Sequence, residues 1–122
     1  LVEKGEALPD GAYQKALAER DRLIDLFAQD MDGFDGILTL PTLGEAPLIS
    51  EGTGNPGPCV AWTLLGLPSS TLPHSFGPAG LPLGIQLVGK PGADSLHLAL
   101  SSAVEKRIAK KAHRKPKDGM FV

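Results

Sequence analysis

The 122-residue chain carries 12 Lys/Arg against 14 Asp/Glu, a formal net charge of −2, and 42% of its residues are apolar. This length and composition predict one soluble globular domain, and the short apolar runs argue against a membrane span or a secretory leader. The single cysteine, Cys59, excludes an internal disulfide and a cysteine-based zinc cluster, and it fits a reducing cytoplasm.

The charges are unevenly distributed along the chain. Residues 1–104 hold five Lys/Arg against twelve Asp/Glu, a net of −7, whereas residues 105–122 hold seven against two, a net of +5, which together give −2. The basic stretch from Lys106 to Lys117 is typical of a solvated helix end, since the helix dipole favours cations at the C-terminus. Contact with nucleic acid or an anionic surface is the alternative, which we do not favour.

The first predicted element is a long helix that starts at Asp10, the expected N-cap, and stops near Gly33. Residues 1–9 lack periodicity and are expected to be a loose leading segment. Beyond them, one stripe of a helix with a period of 3.6 residues recurs at steps of three and four: Tyr13, Ala16, Leu17, Arg20, Leu23, Ile24, Phe27, Ala28 and Met31.

A short apolar run, Gly36 to Leu40, then predicts a strand buried on both faces. The Gly/Pro-rich residues from Thr42 to Pro58 form a long irregular connection. Val60 to Leu65 favours one or two helical turns that end at Gly66. Ser69 to Leu72 and Leu83 to Val88 then predict two paired strands on either side of a Gly/Pro-rich turn.

The last predicted element is a helix that begins at Asp94 and ends before Pro116. Its expected inward stripe is Leu96, Leu100, Ala103, Val104 and Ile108, with Ala99 alongside. The predicted fold is therefore α/β, with about two long helices, one short helix and three strands. We expect a leading segment at 1–9, one domain at 10–115 and a tail at 116–122.

The residue types of a serine hydrolase are present, but their spacing argues against such a site. Ser70 and His74 are four apart on a predicted strand, about 13 Å at the usual rise, so they cannot meet unless the chain bends. We therefore expect neither Ser69 nor Ser70 to be catalytic. His74, His97 and His113 lack metal-ligand spacing and are expected to be surface histidines, so no metal site is predicted. The loop GTGNPG lacks the lysine and hydroxyl of a phosphate loop.

The order of motifs from Tyr13 to Ile108 resembles the C-terminal part of amidase-signature enzymes. The shared pattern is a long helix leading into DGILTLPT, a short helix running into GLP, a strand ending in Pro73, and then GLPLGIQLVG from Gly80 to Gly89. The last of these is the most specific. This family comprises amide hydrolases and amidotransferase subunits, and it usually places small or apolar residues where Ser69 and Ser70 stand.

The resemblance implies that catalysis belongs to an upstream region, where a lysine, a bridging serine and a nucleophilic serine form an acyl-enzyme. It implies a C-terminal fragment of the family's mixed sheet, which acts as scaffold and as part of the pocket wall for an amide substrate. A chain that begins with Leu1 fits such a fragment. The positions that match the rim of the substrate cavity are Asn55, Cys59, Trp62 and Thr63. For Trp62 itself we favour a core anchor that locks the short helix onto the sheet over a substrate contact.

From the resemblance we expect no cofactor and no amidase activity from the chain alone. We expect its partners to be the upstream catalytic region and, for an isolated fragment, further copies of itself, because strand edges and an apolar face would be exposed. Two alternatives remain open: a non-catalytic interaction module, or a fragment of an amidotransferase subunit. The resemblance does not separate hydrolases from amidotransferase subunits.

Overall fold

The structure is a computed structural model that describes residues 5–109. From Ala12 onward these residues form three α-helices, one 3-10 turn and three strands, which confirms the predicted α/β content. The elements in chain order are α1 (Ala12–Asp30), β1 (Ile37–Thr39), the 3-10 turn (Ile49–Glu51), α2 (Gly57–Leu65), β2 (Ser69–Phe76), β3 (Pro82–Val88) and α3 (Asp94–Ala109). The predicted domain limits stay predictions, and His113 and Pro116 lie outside the described residues.

The three strands form one antiparallel sheet in the order β1-β3-β2, so β3 is the central strand. Strands β2 and β3 form the predicted hairpin, in which Ser70 lies opposite Leu87 and Thr71 lies opposite Gln86. β2 continues past Pro73 to Phe76 because the pairing shifts by one residue between Pro73 and Ser75, as in a β-bulge. The bulge lets a strand that contains proline remain paired, since the proline lacks an amide donor.

Helices cover the two faces of this sheet. Side chains alternate between faces along a strand, so Leu87 and its neighbour Ser70 face one way and Gln86 faces the other. α3 lies on the first face, where His97 is within hydrogen-bonding distance of Ser70. α2 lies on the second face, where Cys59 contacts Gln86, and α1 packs against α2.

Helix α1 has the predicted inward stripe, but it begins differently from the prediction. In that stripe Leu17, Arg20, Leu23, Ile24 and Phe27 are half-buried and Met31 is buried, whereas Tyr13, Ala16 and Ala28 are exposed. The N-cap is Gly11 rather than Asp10, and its φ of 77° lies in the left-handed region that glycine adopts readily. The cap makes no side-chain hydrogen bond, because the chain enters the helix through a glycine turn.

Helix α3 starts at Asp94 as predicted, but its inward face is rotated from the predicted stripe. The buried side chains are His97 and Ser101, with Leu100, Val104 and Ile108 half-buried, whereas Leu96 and Ala103 are exposed. The true stripe steps by three and four residues through two polar positions. The prediction was wrong there because it treated only apolar side chains as inward-facing, although a polar side chain can be buried when it is hydrogen-bonded.

The prediction that β1 is buried on both faces was also wrong for the described residues. Leu38 is 59% exposed, although it pairs with Leu87, which is 3% exposed. β1 is an edge strand of three residues, and no described element covers Leu38. Within residues 5–109, no helix is both long and apolar enough to cross a membrane.

Candidate functional site

Of the four predicted site residues, Asn55 lies where the irregular connection becomes helix α2. Its Oδ1 accepts a hydrogen bond of 2.8 Å from the amide of Gly57, the first residue of that helix. This satisfies one of the free amides at the helix N-terminus, in the manner of an Asx turn. Asn55 is exposed, so one face of its side chain stays accessible while the other orders the helix.

Cys59 is the link between α2, the end of β1 and the central strand. Its Sγ donates to the carbonyl oxygen of Pro41 at 3.4 Å, and it accepts from Nε2 of Gln86 at 3.7 Å. Thr63 lies one helical turn further on, and its Oγ1 donates to the carbonyl oxygen of Cys59 at 2.9 Å. Cys59, which contacts the sheet, is half-buried, whereas Thr63 is exposed to solvent.

Trp62 packs edge-on against α1. Its ring lies 6.2 Å from that of Phe27, with an angle of 59° between the ring planes, a tilted geometry that aromatic pairs favour. This contact is what the core-anchor alternative requires. The indole Nε1, however, is buried and has no hydrogen-bond partner among the described residues, so the ring is placed by packing and its donor is left unsatisfied.

A polar row crosses the sheet beneath α2. Thr39 on β1 and Thr71 on β2 lie opposite Gln86 on β3, one in each neighbouring strand. Gln86 is only 4% exposed, and its Oε1 has no partner among the described residues. A buried amide oxygen without a donor costs about 1–3 kcal/mol. The described residues therefore include one unsatisfied acceptor on Gln86, the residue that contacts Cys59, and one unsatisfied donor on Trp62 of α2.

A second polar cluster lies on the opposite face, between β2 and α3. Ser70 Oγ is 2.7 Å from His97 Nε2, and Ser101 Oγ is 3.2 Å from Ser70 Oγ. Ser101 Oγ also donates to the carbonyl oxygen of His97, 2.8 Å away on the same helix. His97 is 4% exposed, so the expectation that it is a surface histidine was wrong.

The hydrogen-bond pattern of this cluster favours a structural role over a catalytic one. Ser101 Oγ is the donor both to Ser70 Oγ and to the backbone carbonyl of His97, and the direction of the bond between Ser70 and His97 Nε2 depends on the imidazole tautomer. A serine nucleophile instead needs an unprotonated imidazole nitrogen and a group that orients the ring from behind. The rear nitrogen, Nδ1, has no hydrogen-bond partner in the described part of the chain. It lies against Gly89, where an added Cβ would be only 2.8 Å from it.

Sequence reasoning tested Ser70 against His74 and missed His97. Ser70 and His97 are 27 residues apart and come together only through the hairpin and the turn into α3. The one available signal was the helical spacing of His97, Leu100, Ser101 and Val104. His74 is exposed on the bulge of β2, and within residues 5–109 no three His, Cys, Asp or Glu side chains come together as a metal site would require.

Known proteins similar to this chain are amide-processing enzymes. A putative amidase of Synechocystis is 43% identical over 51 residues, which cover 42% of this chain and 10% of that protein. A glutamyl-tRNA(Gln) amidotransferase subunit from Methylocella silvestris is 33% identical over 116 residues, covering 84% of this chain and 24% of that protein. No family model matches the chain.

Comparison of the fold with solved structures also finds an amidase. A crystal structure of an amidase superposes on 86% of this chain with a TM-score of 0.71 and 31% sequence identity. The chain belongs to the amidase signature family. A fatty acid amide hydrolase of Oryza sativa subsp. indica, 42% identical over 55 residues, is a further similar protein.

The amidase-signature chain spans about a quarter or less of its relatives. It covers 24% of the Methylocella protein, 9% of the rice hydrolase and 27% of the crystallised amidase. The similar proteins include hydrolases as well as an amidotransferase subunit, so family membership alone leaves the reaction undecided.

Proposed function

We propose that this chain is the C-terminal scaffold of an amide hydrolase, and that the catalytic Lys/Ser/Ser region is a separate upstream part of the same enzyme. The observation that carries the proposal is the contrast between Leu87, buried, and its neighbour Leu38, 59% exposed on the same sheet face. A sheet face that is covered at the central strand and exposed at β1 is typical of a surface on which a further part of the protein packs. The chain alone has no amidase activity, and the cytoplasm is the expected compartment.

In this proposal Asn55, Cys59, Trp62 and Thr63 contribute part of the substrate-pocket wall. Support comes from their common position on α2 and the loop before it, and from the two unsatisfied polar groups, Trp62 Nε1 on α2 and Gln86 Oε1 on the strand that Cys59 contacts. A buried donor and a buried acceptor suit contact with an amide, which offers one of each. Rigid placement of such a wall supports catalysis by a nucleophile held elsewhere.

A hybrid enzyme tests this function. Residues 12–109 replace the segment of the crystallised amidase on which they superpose, and ammonia release from simple amides is measured. We expect turnover by the hybrid and none by the 122-residue chain. Trp62→Phe, which keeps an aromatic side chain and removes the indole donor, should raise KM with little change in the far-ultraviolet circular dichroism. A folded hybrid with no turnover would contradict the proposal.

A second candidate is a fragment of an amidotransferase subunit, which the similarity over 84% of this chain to the Methylocella protein favours. A second hybrid, in which residues 12–109 replace the matching segment of the Methylocella protein, is assembled with the other subunits of that enzyme. It separates the hydrolase hypothesis from the amidotransferase hypothesis. Preference for glutamine over simple amides supports the amidotransferase, and the reverse preference supports the hydrolase.

We further propose that the isolated chain self-associates through exposed apolar side chains on β1 and on the 3-10 turn. Leu38 and Ile49, which is 99% exposed, are the main candidates. Sedimentation velocity should show oligomers that Leu38→Lys with Ile49→Lys converts to monomers. A monomeric wild-type chain would instead favour the remaining alternative, an autonomous interaction module.

A further inference from the structure

The connection from Thr42 to Pro58 is a loop whose two ends are joined. Cys59 Sγ donates to the carbonyl oxygen of Pro41 at 3.4 Å, which closes the base of the loop. Compact loops with joined ends are often functional. This one leads directly into α2 and carries Asn55, the first residue of the proposed pocket wall.

Glu45, near the start of this loop, joins it to the β2–β3 turn. Its Oε2 accepts from the amide of Ala79 at 3.1 Å, and its Oε1 accepts from the amide of Leu81 at 2.8 Å. Both bonds join residues more than thirty positions apart in the sequence. Hydrogen bonds from amides to a carboxylate are stronger than those to neutral acceptors. Glu45 makes no ion pair with any described residue, so the turn amides are its polar partners.

The turn is shaped to receive this carboxyl group. A Cβ added at Gly77 would collide with the Glu45 carboxyl, and Gly77 has no positive φ that would otherwise require glycine. The turn is also held by its own bonds, from the amide of Gly77 to the carbonyl of Leu81 and from the amide of Gly80 to the carbonyl of Gly77. A side chain at position 77 would therefore displace the Glu45 carboxyl group from its place beside the turn.

The other side-chain hydrogen bonds within the loop are local. Thr42 Oγ1 donates to the carbonyl of Gly44, and the amide of Leu48 donates to Glu51 Oε2 at 3.3 Å. Neither reaches the sheet. Among the described residues, Glu45 is therefore the loop residue whose side chain is hydrogen-bonded across to the hairpin.

We propose that Glu45 is a positioning residue that holds the loop, and through it Asn55 and the start of α2, against the β2–β3 turn. This rests on the proposed function, because the loop matters to catalysis only if α2 lines the substrate pocket. The Glu45 carboxylate itself does not contact substrate. Its two bonds set the distance between the loop and the sheet.

Amide hydrogen exchange on the 122-residue chain tests the contact itself. Glu45→Ala should speed exchange at Ala79 and Leu81 by roughly tenfold to a hundredfold, the effect of losing a hydrogen bond to a charged group. The amide of Gly80, bonded within the turn, should change little. Glu45→Gln keeps one carbonyl acceptor, so it should restore protection at one of the two amides.

Two matched controls come from the same loop. Glu51→Ala removes an acid that does not reach the hairpin, and it should leave Ala79 and Leu81 unchanged. Gly77→Ala should reproduce the effect of Glu45→Ala, whereas Gly44→Ala, whose Cβ would meet nothing within 4 Å, should not. If Ala79 and Leu81 exchange equally fast in the wild type and in Glu45→Ala, the proposal is wrong.

The hybrid amidase then tests the consequence for catalysis. Glu45→Ala should raise KM at least fivefold while changing kcat less than twofold, and Glu45→Gln should recover part of the loss. Equal effects of Glu45→Ala and Glu51→Ala on KM would overturn the positioning role. An inactive wild-type hybrid would count against the proposed function, whereas the exchange result would still decide whether Glu45 holds the loop.

Discussion

The chain divides into two regions that bury their apolar residues very differently. In the hairpin and α3, the side chains of Leu72, Leu87 and Val88 are buried, and so are the polar His97 and Ser101. From α1 through the 3-10 turn, Met31 is the buried apolar residue. Exposed large apolar side chains are instead frequent there and in the segment just before α1: Leu8, Tyr13, Leu26, Phe34, Leu38, Leu40, Leu43, Leu48 and Ile49.

This difference indicates which region makes its own core. The hairpin and α3 cover each other on one sheet face, and they bury Leu72 and Leu87 there, although Phe76, Leu96 and Leu98 stay exposed at their outer sides. The region around α1 and β1 has the apolar content of a protein interior and the exposure of a surface, a combination typical of an interface with further protein. The amidase-signature relatives, which are about four times or more as long as this chain, are large enough to contain such a cover.

The largest expected effect contrasts paired leucines from the two regions. Leu87→Ala should lower the free energy of unfolding by about 2–5 kcal/mol, because it leaves a cavity in a packed core. Leu38→Ala, its neighbour on β1, should change it by at most about 1 kcal/mol, since that side chain is mostly in water. Urea unfolding of both variants measures this. Equal losses would mean that β1 is as well packed as the hairpin.

The next effect concerns the polar cluster inside the packed region. Ser70→Ala leaves His97 Nε2 buried without its partner and should cost about 1–3 kcal/mol. Ser70→Ala combined with His97→Leu should cost less than the sum of the two single changes, since both polar partners are then gone. Ser69→Ala, an exposed neighbour on β2, is the control. Additive single effects would show that the 2.7 Å contact carries no coupling.

A smaller effect concerns the attachment of α1. The ring pair of Phe27 and Trp62 should show a coupling energy of about 0.5–1.5 kcal/mol in a double-mutant cycle with leucine at each position. Leu26→Ala, on the same helix but more exposed, should change stability less than Phe27→Ala. Thermal unfolding measures both. No coupling would mean that α1 is held by other contacts.

The smallest effect is at the exposed pair of Glu19 and Arg22 on α1. The hydrogen bond from Arg22, together with the attraction of its positive charge, holds the pKa of Glu19 below the ordinary value. Because the folded pKa is lowered, any stability from the pair is present above the ordinary glutamate pKa and is lost as the pH falls through the folded value. Arg22→Ala should raise the pKa of Glu19 in an NMR titration. An unchanged value would show that the pair does not persist in solution.

Much of the fold could be predicted from the sequence because local signals specify it. The helical stripe of α1, Gly66 at the end of α2 and the glycines and prolines between β2 and β3 each act over a few residues. The inward face of α3 could not be predicted that way. It depends on Ser70, which lies 27 positions before His97 in the sequence. The hydrogen bond between the two offsets the cost of burying the imidazole.

The candidate site was predictable only as far as the resemblance reached. It located Asn55, Cys59, Trp62 and Thr63 around one helix, but their contacts with Gln86, Pro41 and Phe27 are tertiary. The exposure of Leu38 was missed for a related reason. A run of apolar residues predicts that a strand will be covered, and it does not say whether the cover belongs to the same segment of chain.

The most direct test of the central claim, that this chain supports a nucleophile it does not carry, is amide hydrolysis by the purified chain beside the hybrid amidase at equal concentration. The account predicts ammonia release from the hybrid alone. It also predicts that Ser70→Ala lowers the stability of the hybrid but leaves the kcat of the folded hybrid unchanged. Turnover by the 122-residue chain that disappears in Ser70→Ala would contradict it, because Ser70 and His97 would then be the catalytic pair.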